Sequence, residues 1–221
     1  MRISSLGPEY VTEEFLSLFS KKRVHAYVHL SVQSGSDAIL KKMGRKYGAE
    51  TLREKLSAIT RVRRDDGVAL NLGADLIVGF PGETESDFEA TLSVVREFGI
   101  SQVHAFPFSP HEGMHSVPAS KLPDRVDEAT KARRMKTLLD AAREEKRKFL
   151  IRNDGKTLEL LLEGTPAREK FDGWSENHVA LDETNFEPFP DQEFARGKIV
   201  KGTYRYRAGA ENGDDPVENT D

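Results

Sequence analysis

Between Asp75 and Phe88 the chain reads DLIVGFPGETESDF, and this run leaves few folds open. Leu76, Ile77 and Val78 form a short apolar run rich in branched side chains, the composition of a strand buried on both faces. Gly79, Phe80, Pro81 and Gly82 stop the strand and turn the chain. Thr84 and Asp87 then stand at helix-capping spacing, and Phe88, Leu92 and Val95 recur at helical intervals. The pattern predicts strand, glycine-bearing turn and helix N-terminus, a place where backbone N–H groups can face a ligand.

The same unit recurs on both sides. His29–Gln33 alternates like a strand and ends in Ser34-Gly35-Ser36. A short helix from Asp37 to Met43 runs into Gly44, and a longer one places Leu52, Leu56, Ile59 and Val62 on one face before Gly67. Helix Glu85–Phe98 closes on Gly99, a favoured residue just past a helix end. Ser101–Phe106 reads as the next strand, with Pro107, Ser109, Pro110 and Gly113 in the loop beyond it. Upstream, residues 2–6 read as a strand end, and Val11, Phe15 and Leu18 as a helix face. Strands alternating with helices predict an α/β fold, a parallel sheet with helices outside. Four strands leave open edges, which predicts part of a larger (β/α) barrel that aggregates or requires a partner.

A basic helix from about Asp124 to Arg152 follows, its Lys131–Arg152 stretch holding nine Lys/Arg against Asp140, Glu144 and Glu145. Its face carries Met135, Leu138, Leu139, Ala142 and Phe149. On charge alone a solvated surface outweighs phosphate contact. After Asn153-Asp154-Gly155 the pattern changes to short strands at Lys156–Glu163, Gly173–Ser175, His178–Leu181, Gly197–Val200 and Thr203–Tyr204, the signature of a small β-barrel. Three segments result: 1–152 barrel part, 153–207 small β-barrel, and 208–221 an acidic tail expected to be disordered. The net charge of −4 hides this asymmetry, because the tail after Arg207 carries five acids and no base.

HLSVQSGSD, MGRKY, DLIVGFPGETESDF and VHAFPFSPHEGM, in this order, resemble the radical-SAM methylthiotransferases that modify tRNA. The HAFPFSP form looks most like the branch acting on threonylcarbamoyladenosine beside the anticodon. GKTLELLLEG, GWSENH and GKIVKGTY look like a TRAM domain, the RNA-binding barrel that ends these enzymes. The resemblance runs from about Arg2 to Tyr204. It implies that the strands are the later ones of a six-stranded partial barrel whose C-terminal ends face S-adenosylmethionine. It also implies 4Fe–4S clusters, one held by a CxxxCxxC loop after the first barrel strand and a second in an N-terminal domain. Such clusters need thiolates, and this chain has no cysteine. The expectation is a C-terminal fragment, inactive alone, whose missing N-terminal half belongs to an upstream sequence or a separate polypeptide.

The resemblance assigns site residues one by one. Gly79, Phe80, Pro81, Gly82 and Glu83 match the fifth-strand motif bordering the adenine of S-adenosylmethionine; turn-shaping alone is the plain alternative. Gln33, Ser34 and Ser36 can hydrogen-bond the ribose or the amino-acid part of the cofactor, although Ser36 also suits helix capping. Arg45 matches an arginine position for the methionine carboxylate, which a guanidinium grips in a fork. Phe106 and Phe108 resemble the sixth-strand end closing the adenine side. Gly113-Met114 departs there from the family's usual glycine–threonine pair. Lys156, Trp174, Asn177, His178 and Lys198 fall on the RNA side, where Trp174 either stacks on a base or simply packs. No catalytic residue is assigned.

The six histidines, at 25, 29, 104, 111, 115 and 178, show no cluster-like grouping. His111 and His115, four apart, read as a loop rather than a metal site. No apolar run approaches the ~20 residues that span a bilayer, and MRISSLGPEY does not form a signal peptide, so a cytoplasmic, membrane-free setting is expected. The partner implied is the tRNA anticodon stem-loop. Two other readings stay open: a non-enzymatic TRAM-type RNA-binding protein, and a sibling methylthiotransferase acting on isopentenyladenosine in tRNA or on a ribosomal protein.

Overall fold

The computed structural model describes residues 1, 3, 5–109, 123–163, 166, 167 and 170–212. The loop bearing Gly113, Met114, His111 and His115, and the tail from 213, lie outside the described residues.

Its first half alternates strand and helix: α1 (Glu13–Leu18), β1 (Tyr27–Gln33), α2 (Asp37–Lys42), α3 (Ala49–Thr60), β2 (Asn71–Val78), α4 (Glu85–Phe98), β3 (Gln102–Pro107) and α5 (Glu128–Asn153). The strands form a parallel sheet in the order β1-β2-β3. A parallel bridge from Leu6 to Leu30 adds the upstream segment beside β1. One face of the sheet is apolar. Val28, Leu30 and Val32 on β1 and Leu72, Ala74, Leu76 and Val78 on β2 share a core with Leu56 of α3, Leu92 of α4 and Leu138 of α5.

Local signals set most boundaries. Thr84 and Asp87 form a reciprocal capping box at the start of α4, and Gly99 ends it in the left-handed conformation. The first helix differs from expectation. Thr12 caps it, so it starts at Glu13; Val11 is buried ahead of it and Leu18 faces solvent.

The second half is a five-stranded antiparallel sheet of β4 (Thr157–Leu162), β5 (Asp172–Ser175), β6 (Ala180–Asp182), β7 (Phe186–Pro188) and β8 (Ile199–Tyr204), in the order β6-β5-β4-β8-β7. Its edge strands β6 and β7 are consecutive in sequence, and the chain from Asp182 to Phe186 reaches at most about 14 Å. Five strands laid flat put their edges about 19 Å apart, so the sheet must curl. Where the sequence predicts a small β-barrel, the described residues form a curled sheet in which no ladder joins β6 to β7. The three-residue β7, ending in proline, is too short to show alternation and was not expected. The two runs expected at 197–200 and 203–204 are one strand, β8. Gly202 does not break it: a Cβ there would collide with the Glu187 carbonyl of β7.

A second core under this sheet includes Leu158, Leu160, Val200 and Tyr204. Helix α5 enters both cores, with Leu138 in the first and Phe149 and Leu150 in the second. Buried asparagines stitch the junction. Asn71 at the start of β2 donates to the Asn177 carbonyl (2.9 Å), and Asn177 donates to Asn153 Oδ1 at the end of α5 (2.9 Å).

Candidate cofactor wall and polar sheet face

The turn after β2 is built around two left-handed glycines, Gly79 (φ 78°) and Gly82 (φ 77°). Glu83 closes it from inside: its carboxylate accepts from Gly79 N (2.9 Å) and from Arg134 Nη1 of α5 (2.7 Å). Burial pushes the Glu83 carboxyl above its ordinary value, against the pull of the Gly79 N–H and the Arg134 guanidinium. Its other oxygen, Oε1, is buried with no hydrogen-bond partner among the described residues. Phe80 packs edge-on against Phe108 (centroids 5.1 Å apart), and the Phe108 N–H donates to Val78 O (2.7 Å), joining the ends of β2 and β3. Phe106 is 48% exposed.

At the end of β1, Gln33 is itself left-handed (φ 66°) and sits where the β1–β2 register shifts. A non-glycine residue in that region is backbone strain held by its surroundings. Ser34 and Ser36 are both engaged internally. Ser34 Oγ bonds Thr91 Oγ1 (3.3 Å), while Ser36 Oγ donates to Asp87 (2.5 Å) and accepts from Ile39 N as the cap of α2. Tyr47 donates to the carbonyls of Ser31 (2.9 Å) and Val32 (3.0 Å), and burial pushes its hydroxyl up to about 12. Arg45 is exposed, two residues before it. Two lysines not singled out from the sequence complete the wall. Lys42 Nζ donates to Gly82 O (3.3 Å), and Lys131 Nζ donates to Phe108 O (3.4 Å).

The face of the parallel sheet opposite the helices is polar. Register sets His29 beside Gly73 and Asp75 beside His104, so residues far apart in sequence meet. His29 Nε2 lies 2.8 Å and His104 Nδ1 3.3 Å from the same oxygen, Asp75 Oδ1, while Ser31 Oγ donates to Asp75 Oδ2 (3.2 Å). Tyr27 OH bonds His29 Nδ1 (2.6 Å). Gly73 is what allows this, because a Cβ there would strike both the Tyr27 hydroxyl and the His29 ring. Burial opposes ionisation of Asp75, but hydrogen bonds from His104 and His29 outweigh it and hold the carboxyl well below the usual carboxylate range. Sequence reasoning missed this group. The signal was there as single polar residues in step-two positions of otherwise apolar strands, but spacing along the chain cannot show which strands are neighbours.

From Tyr27 the contacts continue into the second sheet. The His178 ring stacks between Tyr27 (4.4 Å) and Trp174 (4.3 Å). Trp174 and His178 also line a cleft of about 370 Å³ with Tyr204, Lys146, Arg207 and Asp182. The Tyr204 hydroxyl is buried without a partner among the described residues. Of the other residues placed on the RNA side, Asn177 is fully buried and its side chain is spent on Ser175 and Asn153, so it offers nothing to a ligand. Lys156 is exposed, and exposed Lys198 pairs with Glu193 (2.9 Å). The basic helix α5 is largely neutralised: Lys136 and Arg143 flank Asp140, Arg147 pairs with Glu144 and Lys148 with Glu145.

The radical SAM superfamily profile matches residues 2–95, the stretch that carries the glycine turn and the first two strands of the parallel sheet. The chain is 35% identical over 180 residues to the threonylcarbamoyladenosine tRNA methylthiotransferase MtaB of Thermotoga maritima, covering 81% of this chain and 40% of that protein. It is 30% identical over 216 residues to MtaB of Bacillus subtilis, covering 95% and 46%. To the tRNA-2-methylthio-N(6)-dimethylallyladenosine synthase of Parabacteroides distasonis it is 31% identical over 222 residues, covering 99% and 46%. The chain belongs to the MtaB-like family of radical SAM proteins. It spans less than half the length of these relatives.

Proposed function

We propose that this chain is the C-terminal part of a tRNA methylthiotransferase acting on threonylcarbamoyladenosine, and that it supplies the adenosine-side wall for S-adenosylmethionine together with an RNA-contacting sheet. The identity to MtaB proteins across most of the chain carries this reading. The turn geometry supports it. Gly79 and Gly82 permit close backbone approach, and Phe80 and Phe108 offer apolar surface beside it. S-adenosylmethionine, when bound, supplies the adenosyl group that such chemistry uses. This chain's residues would orient it: Gln33 from the end of β1, the 79–83 turn just after β2, Phe106 from β3 and Phe108 just beyond it.

A 4Fe–4S cluster does not fit this chain, because the ligands such clusters use are thiolates and there is no cysteine. The groups that deliver an electron and carry sulfur therefore belong to another polypeptide segment. The second sheet is the TRAM-like part of the proposal. Its cleft combines an aromatic wall, Trp174 on His178, with Lys146 and Arg207, a combination suited to a stacked base and its phosphate. No helix among the described residues is long and apolar enough to cross a membrane.

The test is binding of an anticodon stem-loop carrying threonylcarbamoyladenosine, with and without S-adenosylhomocysteine, followed by mass spectrometry of the nucleosides. The expected result is mutual strengthening of the two ligands, no 2-methylthio product from this chain alone, and product once a CxxxCxxC-bearing polypeptide is added. RNA binding indifferent to the cofactor analogue would establish the binding-only reading instead. Preference for a dimethylallyladenosine stem-loop would establish the sibling substrate, to which the 31% identity over 99% of the chain points. Product from the isolated chain would refute its proposed dependence on a second polypeptide.

A further inference from the structure

On the polar face of the parallel sheet, two imidazoles and a carboxylate converge from three neighbouring strands. Their ligand-capable atoms, on His29, Asp75 and His104, all lie within 4.8 Å of one another. We infer that His29, Asp75 and His104 form a binding site for one divalent first-row transition cation, distinct from any iron–sulfur cluster.

Spacing is the first support. Around a tetrahedral ion with bonds of about 2.0–2.1 Å, ligand atoms sit about 3.3 Å apart. Asp75 Oδ1 is 3.3 Å from His104 Nδ1 and 2.8 Å from His29 Nε2, so a few tenths of an ångström of opening on one side makes room. The donor set is the second. Two neutral nitrogens and one anionic oxygen suit zinc or iron(II), whereas calcium and magnesium take oxygen ligands. A three-residue set leaves coordination positions for water, and the 50% exposure of the His104 side chain opens the site to solvent on that side.

The supporting shell is the third and most specific argument. Metal-bound histidines are held by a hydrogen bond at their other ring nitrogen. His29 Nδ1 has such a bond, to the Tyr27 hydroxyl at 2.6 Å. A hydroxyl both donates and accepts. Without metal, Tyr27 donates to Nδ1 while Nε2–H donates to Asp75. With metal, Nδ1–H donates to Tyr27 and the Nε2 lone pair turns to the ion. The switch of tautomer leaves the Tyr27–His29 bond in place. Tyr27 is itself pinned under the His178 ring, and Ser31 fixes the second oxygen of Asp75. His29 and Asp75 are thus oriented before any ion arrives.

The experiment is calorimetric titration of the metal-free chain with Zn²⁺, repeated with Co²⁺ while its visible ligand-field bands are recorded. The absence of cysteine removes thiolate competition. One equivalent of each metal is expected to bind, with a four- or five-coordinate Co²⁺ spectrum. His104→Ala and Asp75→Asn should each weaken binding at least tenfold, and Tyr27→Phe about tenfold through the loss of the His29 partner. His104 is half-exposed on an edge strand, so its removal leaves the fold intact, which circular dichroism checks. A control variant, His111→Ala with His115→Ala, should bind like the parent. No saturable binding by the parent, unchanged affinity in His104→Ala, or loss in the loop variant each overturns the site. None of these outcomes bears on tRNA or S-adenosylmethionine binding, so this inference and the proposed function fail separately.

Discussion

Glu176 shows how one side chain sets a pH dependence. Its carboxylate accepts from Glu159 N (2.8 Å) at the seam between the sheets, and burial, with Glu159 and Asp66 nearby, pushes its carboxyl up to about 7. An acid whose folded value lies above its ordinary value near 4.5 binds its proton more tightly in the folded state. Folding carries no penalty from this group below that ordinary value. As pH rises towards 7 the penalty grows, reaching on the order of 2–3 kcal/mol above it. Glu176→Gln keeps the accepting oxygen and removes the charge. Urea denaturation should find the variant more stable than the parent by about 2 kcal/mol at pH 8 and equal to it at pH 4.5. An equal difference at both pH values would show that ionisation is not the cause.

Elements here are held by their ends. The Gly79–Glu83 turn, α4 and α5 meet at Arg134, which bonds the Glu83 carboxylate (2.7 Å), the Glu83 carbonyl (3.1 Å) and Glu85 (3.1 Å) from a site only 4% exposed. Arg134→Ala would strand the buried Glu83 carboxylate without its cation, at a cost of about 3–5 kcal/mol. Combining Arg134→Met with Glu83→Gln should recover most of that loss in a denaturant melt, whereas a single-variant cost under about 1 kcal/mol would mean the pair is a bystander. Elements such as α4 could be read from the sequence because their signals are local: a capping pair, an apolar stripe and a glycine within one stretch of chain. The Gly79–Glu83 turn was readable for the same reason. The ion pair to Arg134, the His29–Asp75–His104 group and the β6–β7 curl were not, because each depends on which strands and helices become neighbours. Asn177 is the instructive case. A polar residue in a short turn between strands looks like a surface contact, but its side-chain amide is consumed by Asn153 and Ser175 and its main-chain carbonyl by Asn71.

At the scale of the whole molecule, β3 is the terminal strand of the parallel sheet among the described residues, and Phe106 stands exposed on it. An open strand edge offers unpaired backbone N–H and C=O groups to another chain, and an exposed apolar side chain beside them favours that pairing. Sedimentation velocity should therefore show concentration-dependent association that Phe106→Lys reduces, and a monodisperse parent at high concentration would contradict this. The longest element has a different consequence. Helix α5 has 26 residues, about 39 Å of rigid rod. Arg134 grips the Gly79–Glu83 turn near one end of it, and Phe149 and Leu150 are embedded beneath the curled sheet at the other. The rod acts as a crankshaft, fixing the angular phase of the aromatic cleft against the Gly79–Glu83 turn. Its length is therefore an angular setting: one residue inserted between Leu138 and Phe149 would turn the far end by about 100°.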